Sequence, residues 1–213
     1  KGTSSLIDGT PGVHIAAGLH PELVASRHRE TEQLCDLLSL TRYVGEIGLD
    51  GSARHRDSIM LQTKVFRRVV AECERQGGKI LSIHSRGAAN AVIDLLRDQV
   101  QQSIPVLHWF SGSPKELKEA RRIGCWFSVG PAMLKSRKGT ALVEAMPKDR
   151  VLTETDGPFA TDGSEPLMPW HTSRALESLA AIWRCSQEEA AEQLCRNLAA
   201  LVGPEDSLIS SWG

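Results

Sequence analysis

Three of the chain's seven histidines, His20, His84 and His108, share one kind of setting with two acids, Glu46 and Asp156. Each lies in or at the end of an apolar, β-prone run. Four of the runs are Val44-Gly45-Glu46-Ile47-Gly48-Leu49-Asp50, Ile80-Leu81-Ser82-Ile83-His84-Ser85-Arg86, Val106-Leu107-His108-Trp109-Phe110 and Val151-Leu152-Thr153-Glu154-Thr155-Asp156. Imidazoles and carboxylates brought together make a hard-to-intermediate divalent-metal site. The carboxylates suit Mg²⁺ or Mn²⁺ and the histidines Zn²⁺.

Each residue also has a plainer reading. Glu46 sits between two glycines in an apolar run. Desolvating a carboxylate there costs several kcal/mol unless it is paired, with an arginine for example, or ligates a cation. Gly45 and Gly48 leave room for a close approach of backbone or ligand. His84 and His108, each at the end of a run, could be satisfied core histidines, and Asp156 before Gly157-Pro158 could cap a turn. The recurrence of the pattern favours ligation. His20, followed by Pro21, is a helix cap or a ligand or substrate contact. Arg86 offers a guanidinium to a phosphate oxygen or to Glu46 or Asp156. His14, His28, His55 and His171 lack such company; His28 and His55 read as solvated. Trp109 and Trp170 could stack a base, although core packing or loop anchoring is the plainer job.

Positioning these side chains falls to alternating strands and helices. The apolar patterns predict strands near 13–19, 43–49, 79–84, 104–109, 125–130 and 150–155. Helices are expected near 22–39, 57–76, 87–100, 114–123, 137–146, 172–183 and 187–202. Gly77-Gly78 ends one helix, Pro114 opens another, and Ser186 with Glu189 forms a capping box. Leu34, Leu37 and Leu38 fit one helical face, and Phe66, Val69, Val70 and Cys73 fit another. Such alternation implies a parallel α/β sheet, and strands of a parallel barrel deliver their last residues to one mouth. Residues 159–170 read as a long loop, expected over that mouth.

At 213 residues with 41% hydrophobic content, the chain suits a single α/β domain with a full core. A net charge of −1 excludes a globally basic surface for long duplexes. Five cysteines without a CxxC pair read as buried thiols of a reducing cytoplasm. The start, Lys1-Gly2-Thr3-Ser4-Ser5, lacks the apolar core of a signal peptide, and no run is long enough to span a membrane. The expected location is cytoplasmic.

Five segments, in order, resemble the TatD family of metal-dependent deoxyribonucleases within the amidohydrolase-like barrel superfamily. They are Gly18-Leu19-His20-Pro21, Gly45-Glu46-Ile47-Gly48-Leu49-Asp50, Ile83-His84-Ser85-Arg86, His108-Trp109-Phe110-Ser111-Gly112 and Glu154-Thr155-Asp156-Gly157-Pro158. The ending, residues 197–203, is similar to the family's closing helix. The resemblance implies a TIM-type (β/α) barrel and two divalent metal ions. Glu46 would bridge the ions, His84 and His108 would hold one, and Asp156 would hold the other and orient the attacking water. Arg86 and His20 would contact substrate phosphate. The implied reaction is phosphodiester hydrolysis, trimming DNA from its 3′ end.

The family opens on a strand carrying a His-x-His pair, and this sequence contains none. Six strands are expected where a closed barrel has eight. Either the sheet is open or the barrel is without its N-terminal βα units, and the missing His-x-His strand favours the second. The turn Gly51-Ser52-Ala53-Arg54-His55-Arg56 replaces the family's usual aromatic pair and resembles the TatD-like QatD subunit of Qat anti-phage systems, as do residues 77–79 and 82–88. That implies partners in a multi-subunit complex, for which Trp212 leaves room. Two other functions stay open: a dimetal hydrolase of amides or esters, such as aminoacyl-tRNA, and a non-catalytic assembly subunit.

Overall fold

The computed structural model describes residue 10 and residues 12–203. The N-terminal segment 1–5 and Trp212 lie outside the described residues. The chain falls into two compact units, Lys1–Leu107 and His108–Gly213.

The first unit is built on three parallel strands, β1 (Tyr43–Gly48), β2 (Ile80–His84) and β3 (Ile104–Leu107). Val44 pairs with Leu81, and Leu81 with Pro105. The β1–β2 register slips between Val44 and Ile47, across the stretch that carries Glu46. The glycines flanking Glu46 admit the neighbouring strand. A Cβ on Gly45 would lie 2.6 Å from the Ser82 Cβ, and one on Gly48 would lie 2.1 Å from the His84 carbonyl oxygen. Gly48 also has φ +129°, which a side chain would strain.

The strand expected over 13–19 is only a single parallel bridge, Ala17 with Val44. Ala17 N–H donates to the Tyr43 carbonyl at 3.1 Å, and Gly45 N–H to the Ala17 carbonyl at 3.0 Å. The helix expected over 22–39 is also broken. A short 3₁₀ turn, His28–Glu30, separates α1 (Val24–Arg27) from α2 (Thr31–Leu37). The Ser26 and Thr31 hydroxyls bond carbonyls three residues back, which tightens the turns. Leu34 and Leu38 are buried, but Leu37 is 47% exposed, off the face expected for it.

Helix α3 (Ile59–Gln76) buries Val65, Phe66, Val69, Val70 and Cys73 along one stripe, as its periodicity requires. Gly77, at φ 74°, stops it. Helix α4 is Ala89–Gln99.

The second unit holds two parallel strands, β4 (Trp126–Val129) and β5 (Val151–Thr153), each shorter than expected. Helix α5 (Pro114–Arg122) starts on a Ser113 capping box with Glu116. The periodicity missed α6 (Pro131–Leu134), whereas the helix expected over 137–146 is α7 (Arg137–Ala145), capped by Ser136. The long loop is structured: β6 (Thr161–Asp162) and β7 (Glu165–Pro166) form an antiparallel hairpin, and a 3₁₀ helix spans Pro169–Ala175. Helix α8 (Leu176–Trp183) and α9 (Gln187–Val202) follow, α9 with the expected Ser186–Glu189 capping box. Asn197 on α9 donates to the carbonyls of Lys148 and Val151, both at 2.7 Å, and so ties the closing helix to β5.

Cys35, Cys73 and Cys125 are buried thiols as expected, whereas Cys185 is half-buried and Cys195 exposed. Among the described residues, no helix is long and apolar enough to cross a membrane.

Candidate metal centre

In the first unit, His20, Glu46 and His84 place one donor atom each within 4.8 Å of one another. Glu46 lies inside β1 rather than at its end, and His84 is the last residue of β2. His84 Nε2 is 2.9 Å from Asp50 Oδ2. Asp50 is fully buried, and its other oxygen accepts the Ser52 N–H at 2.8 Å. Burial works to raise the Asp50 pKa, but the Ser52 and His84 hydrogen bonds outweigh it and leave the pKa below the ordinary value. An ionised carboxylate can only accept, so His84 Nε2 carries the proton and Nδ1 keeps its lone pair. Burial lowers the His84 pKa against the pull of Asp50, which favours the neutral ring a ligand needs. Nδ1 faces Glu46 Oε2 at 3.8 Å.

His20 behaves differently. Its Nδ1 accepts the Glu22 N–H at 3.3 Å as the cap of the first 3₁₀ turn, which places the proton of the neutral ring on Nε2. Nε2 lies 3.0 Å from Glu46. Burial opposes a charge on this ring, but the hydrogen bond and charge of Glu46 outweigh it and raise the pKa. Capping and site contact, alternatives in the sequence, are both present. The ring is suited to donate a hydrogen bond rather than to ligate. It meets His84 edge-on at 4.8 Å.

In the second unit, His108 follows β3 directly and Asp156 lies three residues past β5. His108 Nδ1 contacts Glu154 Oε2, which also accepts the Ser128 hydroxyl. His108 Nε2 faces Asp156 Oδ1 at 3.6 Å. Asp156 takes φ 52°, a left-handed conformation that short acids tolerate.

The donor set fits a divalent cation. Two ligands at about 2.1 Å from one tetrahedral ion stand roughly 3.4 Å apart. The 3.8 Å and 3.6 Å separations are near that value and too long for hydrogen bonds. Each histidine has its remote nitrogen fixed by a carboxylate, which is how ligating imidazoles are held.

Arg86 is exposed, and its carbonyl accepts the Gly51 N–H at 2.8 Å. His28 and His55 are not solvated as expected: both are half-buried, each with one ring nitrogen that finds no hydrogen bond among the described residues. His171 Nδ1 accepts the Met168 N–H, a local cap. Sequence reasoning passed over Asp50, Glu154 and Ser128. Asp50 and Glu154 stand in the same segments as Glu46 and Asp156, and a histidine's need for an orienting acid was the available signal.

Histidine–carboxylate pairs at the ends of parallel strands are the kind of metal site that barrel-type α/β folds present. Residues 2–203 match the family model for TatD-related DNases, and the chain belongs to that family. It is 31% identical over 164 residues to deoxyribonuclease TATDN3 of Homo sapiens, covering 74% of this chain and 58% of that protein. It is 30% identical over 159 residues to the uncharacterized metal-dependent hydrolase YabD of Bacillus subtilis, covering 70% of this chain and 60% of that protein. The chain thus spans somewhat over half the length of these relatives. The crystal structure of YJJV, a TatD homologue from Escherichia coli K12, superposes with a TM-score of 0.78 at 23% identity, covering 92% of this chain and 79% of that one. The fold is therefore of the TIM-barrel type shared by these hydrolases.

Proposed function

We propose that the chain is a divalent-metal-dependent phosphodiester hydrolase that trims DNA from 3′ ends. The observation that carries this reading is the paired aim of His84 Nδ1 at Glu46 and His108 Nε2 at Asp156, each ring held from behind by a buried or nearly buried acid. Glu46 and His84 are ligands in the first unit, and His108 and Asp156 in the second. Two bound divalent ions would polarise a phosphoryl oxygen and lower the pKa of water. Asp156 orients that water and accepts its proton. The His20 Nε2–H and the Arg86 guanidinium donate to phosphate oxygens. The names of the relatives support DNA as substrate.

The finer assignment, to a cytoplasmic anti-phage complex of the Qat kind, rests on the basic turn 51–56. Plating phage on cells that carry the protein with its neighbouring genes tests it. Protection lost with Glu46→Ala supports the assignment, and protection that never appears removes it.

Hydrolysis of a 3′-labelled single strand with Mg²⁺, Mn²⁺ or Zn²⁺ tests the activity. Metal-dependent release of label, abolished by Glu46→Ala and His108→Ala, is the expected result. Release that survives both substitutions rejects the ligand assignment. Absence of release with every metal rejects the nuclease.

A further inference from the structure

The hairpin after β5 has a buried, hydrogen-bonded foot and exposed aromatic rings. Ala160 and Leu167 are buried and joined by a 2.9 Å backbone hydrogen bond. The N–H groups of Phe159 and Ala160 both donate to the Asp156 carbonyl at 2.9 Å. Gly157 lies so close beneath Leu167 that a Cβ there would fall 1.8 Å from the Leu167 carbonyl oxygen. Yet Phe159, on one side of this foot, is 87% exposed, and Trp170, on the other, is 68% exposed. Trp170 therefore does not serve the core. Its ring meets that of His171 edge-on, and His171 accepts the Met168 N–H. Large apolar rings held in water on a fixed backbone mark a binding surface more than a folding need.

Cations lie on and beside the hairpin. Lys135 and Arg174 both pair with Asp162 on β6. Arg137 and Lys138 are exposed at the start of α7, two and three residues past Lys135, and Lys138 Nζ reaches the Ser111 carbonyl. These four cations stand against three acids, Asp162 and Glu165 of the hairpin and Asp156 before it. Aromatic faces set among surplus cations are what a nucleic-acid strand with unpaired bases requires: rings for the bases and charges for the phosphates. Phe159 is also three residues past Asp156 and hydrogen-bonded back to it, so a base stacked there belongs to a nucleotide near that carboxylate.

We propose that Phe159 and Trp170 form a base-stacking platform for single-stranded DNA, an inference that rests on the DNA-trimming reading above. A duplex keeps its base faces stacked within the helix and offers no such partner.

The test is binding of a short fluorescein-labelled oligodeoxythymidine to the metal-free full chain in EDTA. Turnover and ligand assignment then play no part. Phe159→Ala and Trp170→Ala should each weaken binding about 5- to 150-fold, the range of one lost base–aromatic stack. Phe159→Tyr and Trp170→Phe should restore most of it. An abasic strand of equal length should bind the native protein as weakly as the thymidine strand binds the alanine variants. Equal binding by native and alanine variants overturns the platform, as does equal binding of abasic strand or duplex. Trp170 emission unquenched by acrylamide, judged against Trp170→Phe, also overturns it, because the ring would then be covered. Stacking without cleavage in the label-release assay refutes the nuclease and leaves the platform; cleavage without stacking does the reverse.

Discussion

The two units hold a histidine in the same way with different parts. In the first, His84 is backed by Asp50, a fully buried acid that follows β1 and is itself fixed by a backbone N–H. In the second, His108 is backed by Glu154, an acid on the chain leaving β5, fixed by the Ser128 hydroxyl of β4. The ring is also turned round: Asp50 takes Nε2 and Nδ1 faces Glu46, whereas Glu154 takes Nδ1 and Nε2 faces Asp156. What the halves share is the arrangement of acceptor, ring and acidic neighbour, not a residue spacing. The longer Glu154 is offset by a hydroxyl, and the shorter Asp50 by tight burial.

The sharpest way to break the comparison is Asp50→Ala. It leaves the Ser52 N–H and the His84 Nε2–H without an acceptor in a buried place, where a lost partner costs about 1–3 kcal/mol. Divalent-metal affinity in a chelator-competition titration should fall about 10- to 100-fold, as loss of an orienting partner usually does. Urea unfolding should show the stability loss in the same variant. Native metal affinity in Asp50→Ala would mean that His84 needs no support.

A smaller effect is expected from Glu154→Gln, since the amide oxygen can still accept from His108 and from Ser128. Metal affinity should fall about 10-fold, the lower end of the same range. The opposed rings give this variant a direct readout. In the metal-free native protein, ¹⁵N NMR should find His84 as the Nε2–H tautomer and His108 as the Nδ1–H tautomer. Glu154→Gln should broaden the His108 pattern alone. One shared tautomer in the native protein would end the comparison.

Local signals were the most legible part of the sequence. The Ser113 and Ser186 caps, the stop at Gly77 and the stripe Phe66–Val69–Val70–Cys73 each involve residues within one or two turns, and each is present. The ligand candidates were legible for a similar reason, because a polar residue at the end of an apolar run is conspicuous by itself. Pairing was not. Asp50 stands 34 residues from His84, and Glu154 stands 46 from His108. Only the parallel register makes those acids neighbours of the rings. The segment 13–19 failed for the converse reason. Its composition suits a strand, but strand length is set by hydrogen bonds to a neighbour, and only Ala17 makes them. Likewise, nothing in helical periodicity reports that Ser26 and Thr31 will bond back to carbonyls and split the first helix.

The smallest effect concerns an acid held by cations instead of by a histidine, in the same unit as Asp50. On α3, Glu72 accepts from Arg75 at 3.0 Å, from Gln76 at 2.9 Å and from Arg68 at 3.3 Å. Arg68 also clasps Glu32 on α2 at 2.7 Å, so the cluster ties the two helices. The Arg75 hydrogen bond foremost, then Gln76 and Arg68, hold the Glu72 carboxyl at about 2. A depressed carboxyl adds stability above its ordinary value, near 4.5, and that contribution disappears as the pH falls toward 2. Because both arginines are well solvated, screening should keep the effect to about 1 kcal/mol or less at neutral pH. Urea midpoints of the native protein and Glu72→Gln should therefore differ slightly at neutral pH and converge in acid. A difference that persists at the lowest pH would assign the contribution to shape and hydrogen bonding rather than to charge. Glu72 would then resemble Asp50, whose value to the fold lies in the groups it satisfies.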